Sequence, residues 1–310
     1  MREGSDQLPA TGVSPVSSLA RPRAAVSDAP RVDLRHMPCA FANPIGWKAR
    51  IGLIVLATDH TIEFEWRQLI DAAALSQGAR DSVALYAARI LNEPTITAET
   101  LTAMETRIAD TADLLLPGMP FDVVAYGCTA ASMLIGPERV RARVQQARPD
   151  AAVTDPLTAA TRAFEALGVR RLAVLTPYAP SINAEMRTTL QEYGWEIPVM
   201  GSFCIDDDNL AARASARSLH DAVLELGRSP EVDGVFVSCT SIRLAEVVEP
   251  LEQALGKPVI SSNLALGWDA LRLAGVVAPL DGFGRLFRHP RDAGPAKRET
   301  AFRINDLFTL

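Results

Sequence analysis

An α/β fold of two lobes, each built on a parallel sheet, is predicted by three observations. Phe121-Asp-Val-Val-Ala-Tyr-Gly-Cys128-Thr129-Ala130 and Val232-Asp-Gly-Val-Phe-Val-Ser-Cys239-Thr240-Ser241 repeat one design: an apolar run, a small residue, Cys-Thr, then residues of helical composition. Short continuous apolar runs of this kind read as buried parallel strands. Strand-like and helix-like segments also alternate along the whole chain, which is the pattern of strand–helix–strand units. Finally, the segments that precede each cysteine follow the same order, so the layout is an internal duplication. The two halves read as Rossmann-like lobes related by a pseudo-two-fold axis, with the active site in the cleft between them.

Residues 1–46 carry Pro at 9, 15, 22, 30, 38 and 44 and no apolar periodicity, the composition of a disordered extension. Order begins with Arg50-Ile-Gly-Leu-Ile-Val-Leu-Ala57, a strand that ends in the polar turn Thr58-Asp59-His60-Thr61. Residues 63–75 then have helical spacing (Phe64, Leu69, Ile70, Ala73), and residues 83–90 read as a strand. Thr97 and Thr100 have the form of a capping box and open one long helix through Leu101, Met104, Ile108, Ala112 and Leu115. Pro117-Gly118 stops it, and the first cysteine strand follows.

The second half replays the first. Asp155-Pro156 caps a helix that ends at Gly168, with Pro at its first position. Residues 171–176 form the partner of the strand at Arg50, with the turn Thr176-Pro177-Tyr178. A helix over 182–193, a strand over 197–203 and a second long helix over 209–226 lead to the second cysteine strand. Pro258-Val-Ile-Ser-Ser-Asn263 and a helix to Gly275 return to pack on the first half. The expected division is 1–46 extension, 47–154 plus 262–280 first lobe, 155–261 second lobe and 281–310 tail, where 302–310 could dock as a short segment.

Length and composition bound the function. At 310 residues and 48% hydrophobic the chain can bury a large core. A net charge of −6 and no dense Lys/Arg patch argue against a nucleic-acid partner. No apolar run approaches the ~18 residues of a membrane helix, so no membrane partner is expected. The four cysteines, Cys39, Cys128, Cys204 and Cys239, lack the paired spacing of zinc sites, and a secreted disulfide framework does not suit this length. A reducing cytoplasm is the natural compartment.

No glycine-rich phosphate loop, His-Glu-x-x-His or Gly-x-Ser-x-Gly is present, which points to small-molecule chemistry without a nucleotide and without a metal. The end of a parallel strand is where ligands bind in open α/β sheets. A helix starting there offers free N–H groups and should lower the pKa of Cys128 and Cys239. Two lobes bring these cysteines to opposite sides of one molecule, an arrangement suited to taking a proton from one face and returning one to the other. Two inert buried thiols are the plainer alternative, weakened by the Thr beside each. For Asp59 the plain reading is a helix cap, which does not exclude a binding role. His60 reads as an outward-facing residue. Asp206-Asp207-Asp208 reads as the charged start of a helix.

Gly-Cys128-Thr-Ala-Ala-Ser132 and Ser-Cys239-Thr-Ser-Ile-Arg243 resemble the Asp/Glu racemase superfamily, in its maleate isomerase and arylmalonate decarboxylase branch. Arg50-Ile-Gly-Leu-Ile-Val, Leu175-Thr-Pro-Tyr178 and Ser261-Ser-Asn263 occur in the family's order. The resemblance covers residues 48–278 and implies two lobes, no cofactor and chemistry beside a substrate carboxylate. It makes Cys128 and Cys239 the catalytic thiols. By the same resemblance Thr129, Thr240 and Tyr178, with the N–H groups after each cysteine, hold the carboxylate. Asp59, Ala130, Ser241, Arg243 and Asn263 complete the expected binding set for a small carboxylate or amino-acid substrate. Arg243 reads equally as a clamp for a second carboxylate or as a solvated helix residue. Maleate isomerases typically have Pro-Ser-Ser-Asn-Thr at the first turn. Here Leu56-Ala-Thr-Asp59-His60-Thr61 resembles instead the members encoded with ectoine-degradation genes. The expected activity is a racemase, epimerase or isomerase on a small amino acid. Maleate cis–trans isomerisation is the alternative, and decarboxylation or non-catalytic ligand binding follows behind. A homodimer or higher homo-oligomer is the expected assembly.

Overall fold

The computed structural model of the protein describes Val32 and residues 34–289. Residues 34–42, at the end of the N-terminal unit, form no helix or strand. Residues 1–31 and 33 of the expected extension, and the tail from residue 290 onward with its proposed docking segment, lie outside the described residues.

From residue 43 the chain runs β1 (Ala49–Leu56), α1 (Ile62–Ser76), β2 (Val83–Ile90), α2 (Ala98–Ala103), α3 (Ile108–Asp113) and β3 (Val123–Gly127). Then follow α4 (Thr129–Ile135), α5 (Pro137–Ala147), β4 (Ala152–Thr154), α6 (Pro156–Leu167), β5 (Arg171–Thr176) and α7 (Pro180–Glu192). The last elements are β6 (Glu196–Ser202), α8 (Asp208–Ala211), α9 (Ala216–Gly227), β7 (Gly234–Val237), α10 (Val248–Leu255), β8 (Val259–Ser261) and α11 (Ser262–Leu273). They form two four-stranded parallel sheets of the same order, β2-β1-β3-β4 and β6-β5-β7-β8.

The duplication extends to single hydrogen bonds. Asp122 accepts from the Arg50 N–H at 2.8 Å, and Asp233 accepts from the Arg171 N–H at 2.9 Å. Each acid precedes a cysteine strand and ties it to the start of its central neighbour. Inward side chains of β1, β3, β5 and β7 are almost wholly buried, as the apolar runs require. Pro198 sits in β6, an edge strand, where the missing N–H is tolerated and the register to β5 shifts between Arg171 and Ala173.

Where helices start and stop follows local chemistry. Thr97 and Thr100 form the expected capping box of α2, and Asp155 accepts from the Leu157 and Thr158 N–H groups to start α6. The long helix expected from Thr97 is broken, however. A 3₁₀ turn over Met104–Arg107 separates α2 from α3 and places Glu105 against Arg139 and Arg143 of α5. The second long helix is also two pieces, because the Ser215 side chain caps α9 through the Ser218 N–H. Short β4 was not expected at all. The tail begins later than expected too: Arg285–Arg288 form a 3₁₀ turn with Leu286 and Phe287 buried, and Arg272 donates to the Phe287 carbonyl at 3.2 Å.

β8 completes the second sheet, whereas α11 packs against α1, β3 and α6. This crossing element brings the two cysteine loops together. Among the described residues no helix is long and apolar enough to cross a membrane.

Candidate active site

Cys128 follows β3 directly and is the N-cap of α4; its thiol faces the Ala131 N–H. Cys239 follows β7 after Ser238, but no helix starts there. Its backbone has φ of 117°, a region that costs a non-glycine residue about 1–3 kcal/mol, and its thiol faces the Ser241 N–H. The chain becomes helical only at Ala245–Val247. The helix expected directly after the second cysteine is therefore absent, and the chain passes through a positive-φ residue at Cys239 instead.

Three hydrogen bonds hold these loops face to face, and a fourth ties the second loop to the turn after β1. The Thr129 hydroxyl donates to Ser262 Oγ at 2.8 Å, and Ser262 Oγ also accepts the Cys239 N–H at 3.1 Å. The Thr240 hydroxyl donates to the Gly127 carbonyl at 3.2 Å. The Thr61 hydroxyl donates to the Ser241 carbonyl at 2.8 Å. Behind them, Glu65 of α1 accepts the Leu244 and Ala245 N–H groups at 2.7 and 2.8 Å. Asn263 donates to both Glu65 and the Thr240 carbonyl at 2.8 Å, and the Trp66 ring N–H donates to the Asn263 carbonyl at 3.0 Å.

Between the loops lies a cavity lined by Cys128, Thr129, Ala130, Tyr178, Cys239 and Thr240, with Leu56, Ile96, Leu101 and Asp208 completing the wall. Its volume is about 10 Å³ measured to the centres of water-sized spheres, room for about one water. Part of the wall is strapped: Thr95 and Asp207 form an antiparallel bridge, the Asp208 N–H donates to the Pro94 carbonyl at 3.1 Å, and the Ile96 N–H to the Asp206 carbonyl at 2.9 Å. Tyr178 lies beside the Cys239 thiol, its carbonyl held by Asn183 and Ser202 at 2.8 and 2.6 Å.

Six of the ten residues singled out from sequence thus share one cavity. Asp59, Ser241 and Asn263 are buried next to it, outside the lining set. Asp59 Oδ1 accepts from the Thr61 and Ile62 N–H groups at 2.7 and 2.8 Å, which is the cap function, while Oδ2 is buried without a hydrogen-bond partner. The Asn263 amide is spent on Glu65 and the Thr240 loop. Arg243 is not brought to the cavity: its half-exposed side chain pairs with Glu246 at 3.6 Å and lies over the Phe64 ring. His60 is exposed, against Asn209.

Three residues that organise the site were not singled out: Asp208, Glu65 and Ser262. Asp208 was hidden in a run of three acids of which only it is buried; it accepts from Thr58 at 2.8 Å, Ser241 at 3.3 Å and Asn92 at 3.4 Å. Glu65 did leave a signal, because it occupies the apolar face of α1 with Ile62, Trp66 and Leu69.

The electrostatics run against one expectation, the lowered thiol pKa. Burial pushes the Cys239 thiol up to about 12 and the Cys128 thiol well above its ordinary value, and the Asp208 and Asp59 charges add to the effect. Each thiol's nearby N–H pulls the other way but is outweighed. Burial also raises Asp59 to about 6 and Glu65 to about 7, and pushes Asp208 up from its ordinary value. Among the described residues no group of three His, Cys, Asp or Glu could hold a metal ion.

Comparison with known proteins places this geometry. Over 132 residues, 42% of this chain, the sequence is 36% identical to arylmalonate decarboxylase from Bordetella bronchiseptica, spanning 55% of that protein's length. It is 26% identical to maleate isomerase from Pseudomonas putida KT2440, over 76% of this chain and 96% of that one. A structure of a maleate isomerase variant from Pseudomonas putida S16 with maleate superposes with a TM-score of 0.70, covering 78% of this chain and 98% of that one. At 23% identity that likeness speaks for the fold. The family model described as arylmalonate decarboxylase matches residues 81–287, a stretch that takes in both cysteine loops and the crossing helix between the sheets. The chain belongs to the arylmalonate decarboxylase family.

Proposed function

We propose that the protein is a cofactor-independent isomerase, of the wider Asp/Glu racemase type, that inverts the carbon next to the carboxylate of a small amino acid. The observation that carries this reading is the pair Cys128 and Cys239 on the wall of one cavity, each beside a Thr hydroxyl and facing a backbone N–H. One cysteine, as thiolate, takes the α-proton. The C–H electron pair moves into the carboxylate and forms an enediolate, and the other thiol gives its proton to the opposite face. Thiol and thiolate exchange places, and atoms and charge balance. Thr129, Thr240, Tyr178 and the N–H groups near each sulfur are the donors for the enediolate, each worth about 3 kcal/mol by analogy with oxyanion-hole donors. The two threonines must turn from Ser262 and Gly127 to do so.

The turn Leu56-Ala-Thr-Asp59-His60-Thr61 supports a place beside the ectoine-utilisation proteins, with an amino acid from ectoine or hydroxyectoine breakdown as substrate. A second reading is cis–trans isomerisation of maleate, in which one cysteine adds to the double bond and is eliminated after rotation. Similarity to maleate isomerases along most of the chain favours it; the buried acids Asp59 and Asp208 oppose a dianion. Two thiols in one cavity favour either isomerisation over decarboxylation. Incubation in D₂O with amino acids and maleate, followed by NMR, separates the readings: α-deuteration with inversion supports the first, and fumarate from maleate as the dominant product overturns it.

A further inference from the structure

The cavity wall carries one charged side chain, Asp208, and no Lys, Arg or His. Asp208 is 5% exposed, and all its side-chain partners are neutral: the hydroxyls of Thr58 and Ser241 and the amide of Asn92. Buried carboxylates are ordinarily paired with a cation. A second acid stands close by: Asp59 is 3% exposed, its Oδ2 takes no part in the helix cap, and the side-chain donor near it, the Thr240 hydroxyl, is neutral as well. The Asp59 and Asp208 charges act on each other and on both thiols. The protein has thus gathered uncompensated negative charge on one side of a site whose nucleophilic groups must become anions. Neutrality there comes from a proton on the acids or from a cationic occupant.

We propose that Asp208 is the anchor for a cationic group of the substrate, so that the site selects ammonium-bearing acids and rejects acids without one. The proposal rests on the cavity being the reaction site. An ammonium there sits on the wall shared with Cys128 and Cys239, leaving the hydroxyl and N–H groups around the cysteines for the carboxylate. It also offsets the acid charges that oppose thiolate formation, so the occupant that fits is the one that activates the sulfur.

Charge selectivity can be read without knowing the substrate. Wild type, Asp208→Asn and Asp208→Glu are treated at one pH with aminoethyl or sulfonatoethyl methanethiosulfonate, a cation and an anion of similar size. Labelling rates at Cys128 and Cys239 are mapped by mass spectrometry against the exposed Cys39. The cation-to-anion rate ratio at the cavity thiols should exceed that at Cys39 by roughly tenfold or more, as expected for a nearby charge in a partly desolvated site. It should collapse to the Cys39 ratio in Asp208→Asn and survive in Asp208→Glu. A tight cavity slows both reagents alike and leaves the ratio readable. An equal ratio in wild type and Asp208→Asn overturns the proposal, as does faster labelling by the anion. The same proteins are then given an amino acid and its 2-hydroxy counterpart in D₂O. Amino-acid exchange whose KM is unmoved by Asp208→Asn sinks the anchor but spares the racemase reading. Charge-selective labelling without exchange of any acid does the reverse.

Discussion

Thr129 and Ser262 meet hydroxyl to hydroxyl at 2.8 Å, and the same Ser262 oxygen takes the Cys239 N–H at 3.1 Å. Ser262 is the first residue of α11, the helix that starts from the second sheet and packs on the first. One side chain therefore bridges the two cysteine loops, beside the direct bond from Thr240 to the Gly127 carbonyl.

Replacing Ser262 by Ala should leave the Cys239 N–H buried and unpaired, at a cost of about 1–3 kcal/mol. Turnover should fall further than that loss implies, because small misplacements of reacting groups are costly. Thermal unfolding and kcat on the same preparation check this. A variant matching wild type in both would remove Ser262 from the account.

Thiol ionisation gives a pH prediction opposite to the one the helix-terminus argument suggests. Because burial and the neighbouring acids raise both thiols, Cys239 to about 12, alkylation by iodoacetamide should be slow at pH 7 and climb steadily above pH 9. Fast labelling of Cys128 or Cys239 below neutral pH, protected by substrate, would show a thiolate already formed.

Much of the architecture was legible in the sequence because it depends on local patterns. The apolar runs ending at Gly127 and Val237, the Thr97 and Asp155 caps, and the repeated strand order all follow from periodicity and turn chemistry. Six cavity residues were legible because they flank the strand ends. What escaped were properties decided by tertiary contact. Glu105 meets Arg139 and Arg143 where a helix was expected to run on. The left-handed turn at Cys239 has no compositional mark, and of Asp206, Asp207 and Asp208 only the fold decides which is buried. Arg243 shows the converse: a residue placed correctly along the chain whose side chain turns to Glu246.

Glu65 links stability to pH. Its carboxyl rises from 4.5 to about 7, so between those values the folded state binds a proton that the unfolded chain has lost. Stability from this group is complete below about pH 4.5 and is lost as pH rises through 7, by about 3 kcal/mol in all. Asp59, raised from 3.8 to about 6, acts in the same direction over a lower window. Glu65→Gln should flatten the fall in unfolding free energy between pH 5 and 8. An unchanged slope would place the titrating group elsewhere.

The central claim is that two thiols act on opposite faces of one carbon. The most direct test follows inversion and deuterium uptake separately, in D₂O, for wild type, Cys128→Ala and Cys239→Ala with an amino-acid substrate. Wild type should invert with one solvent deuterium incorporated per event. Each variant should lose inversion by about a thousandfold or more, near the upper range for removing a proton-transfer group. A variant can at most exchange the proton with retention, through its remaining thiol. Near wild-type inversion in either variant would contradict the two-thiol account.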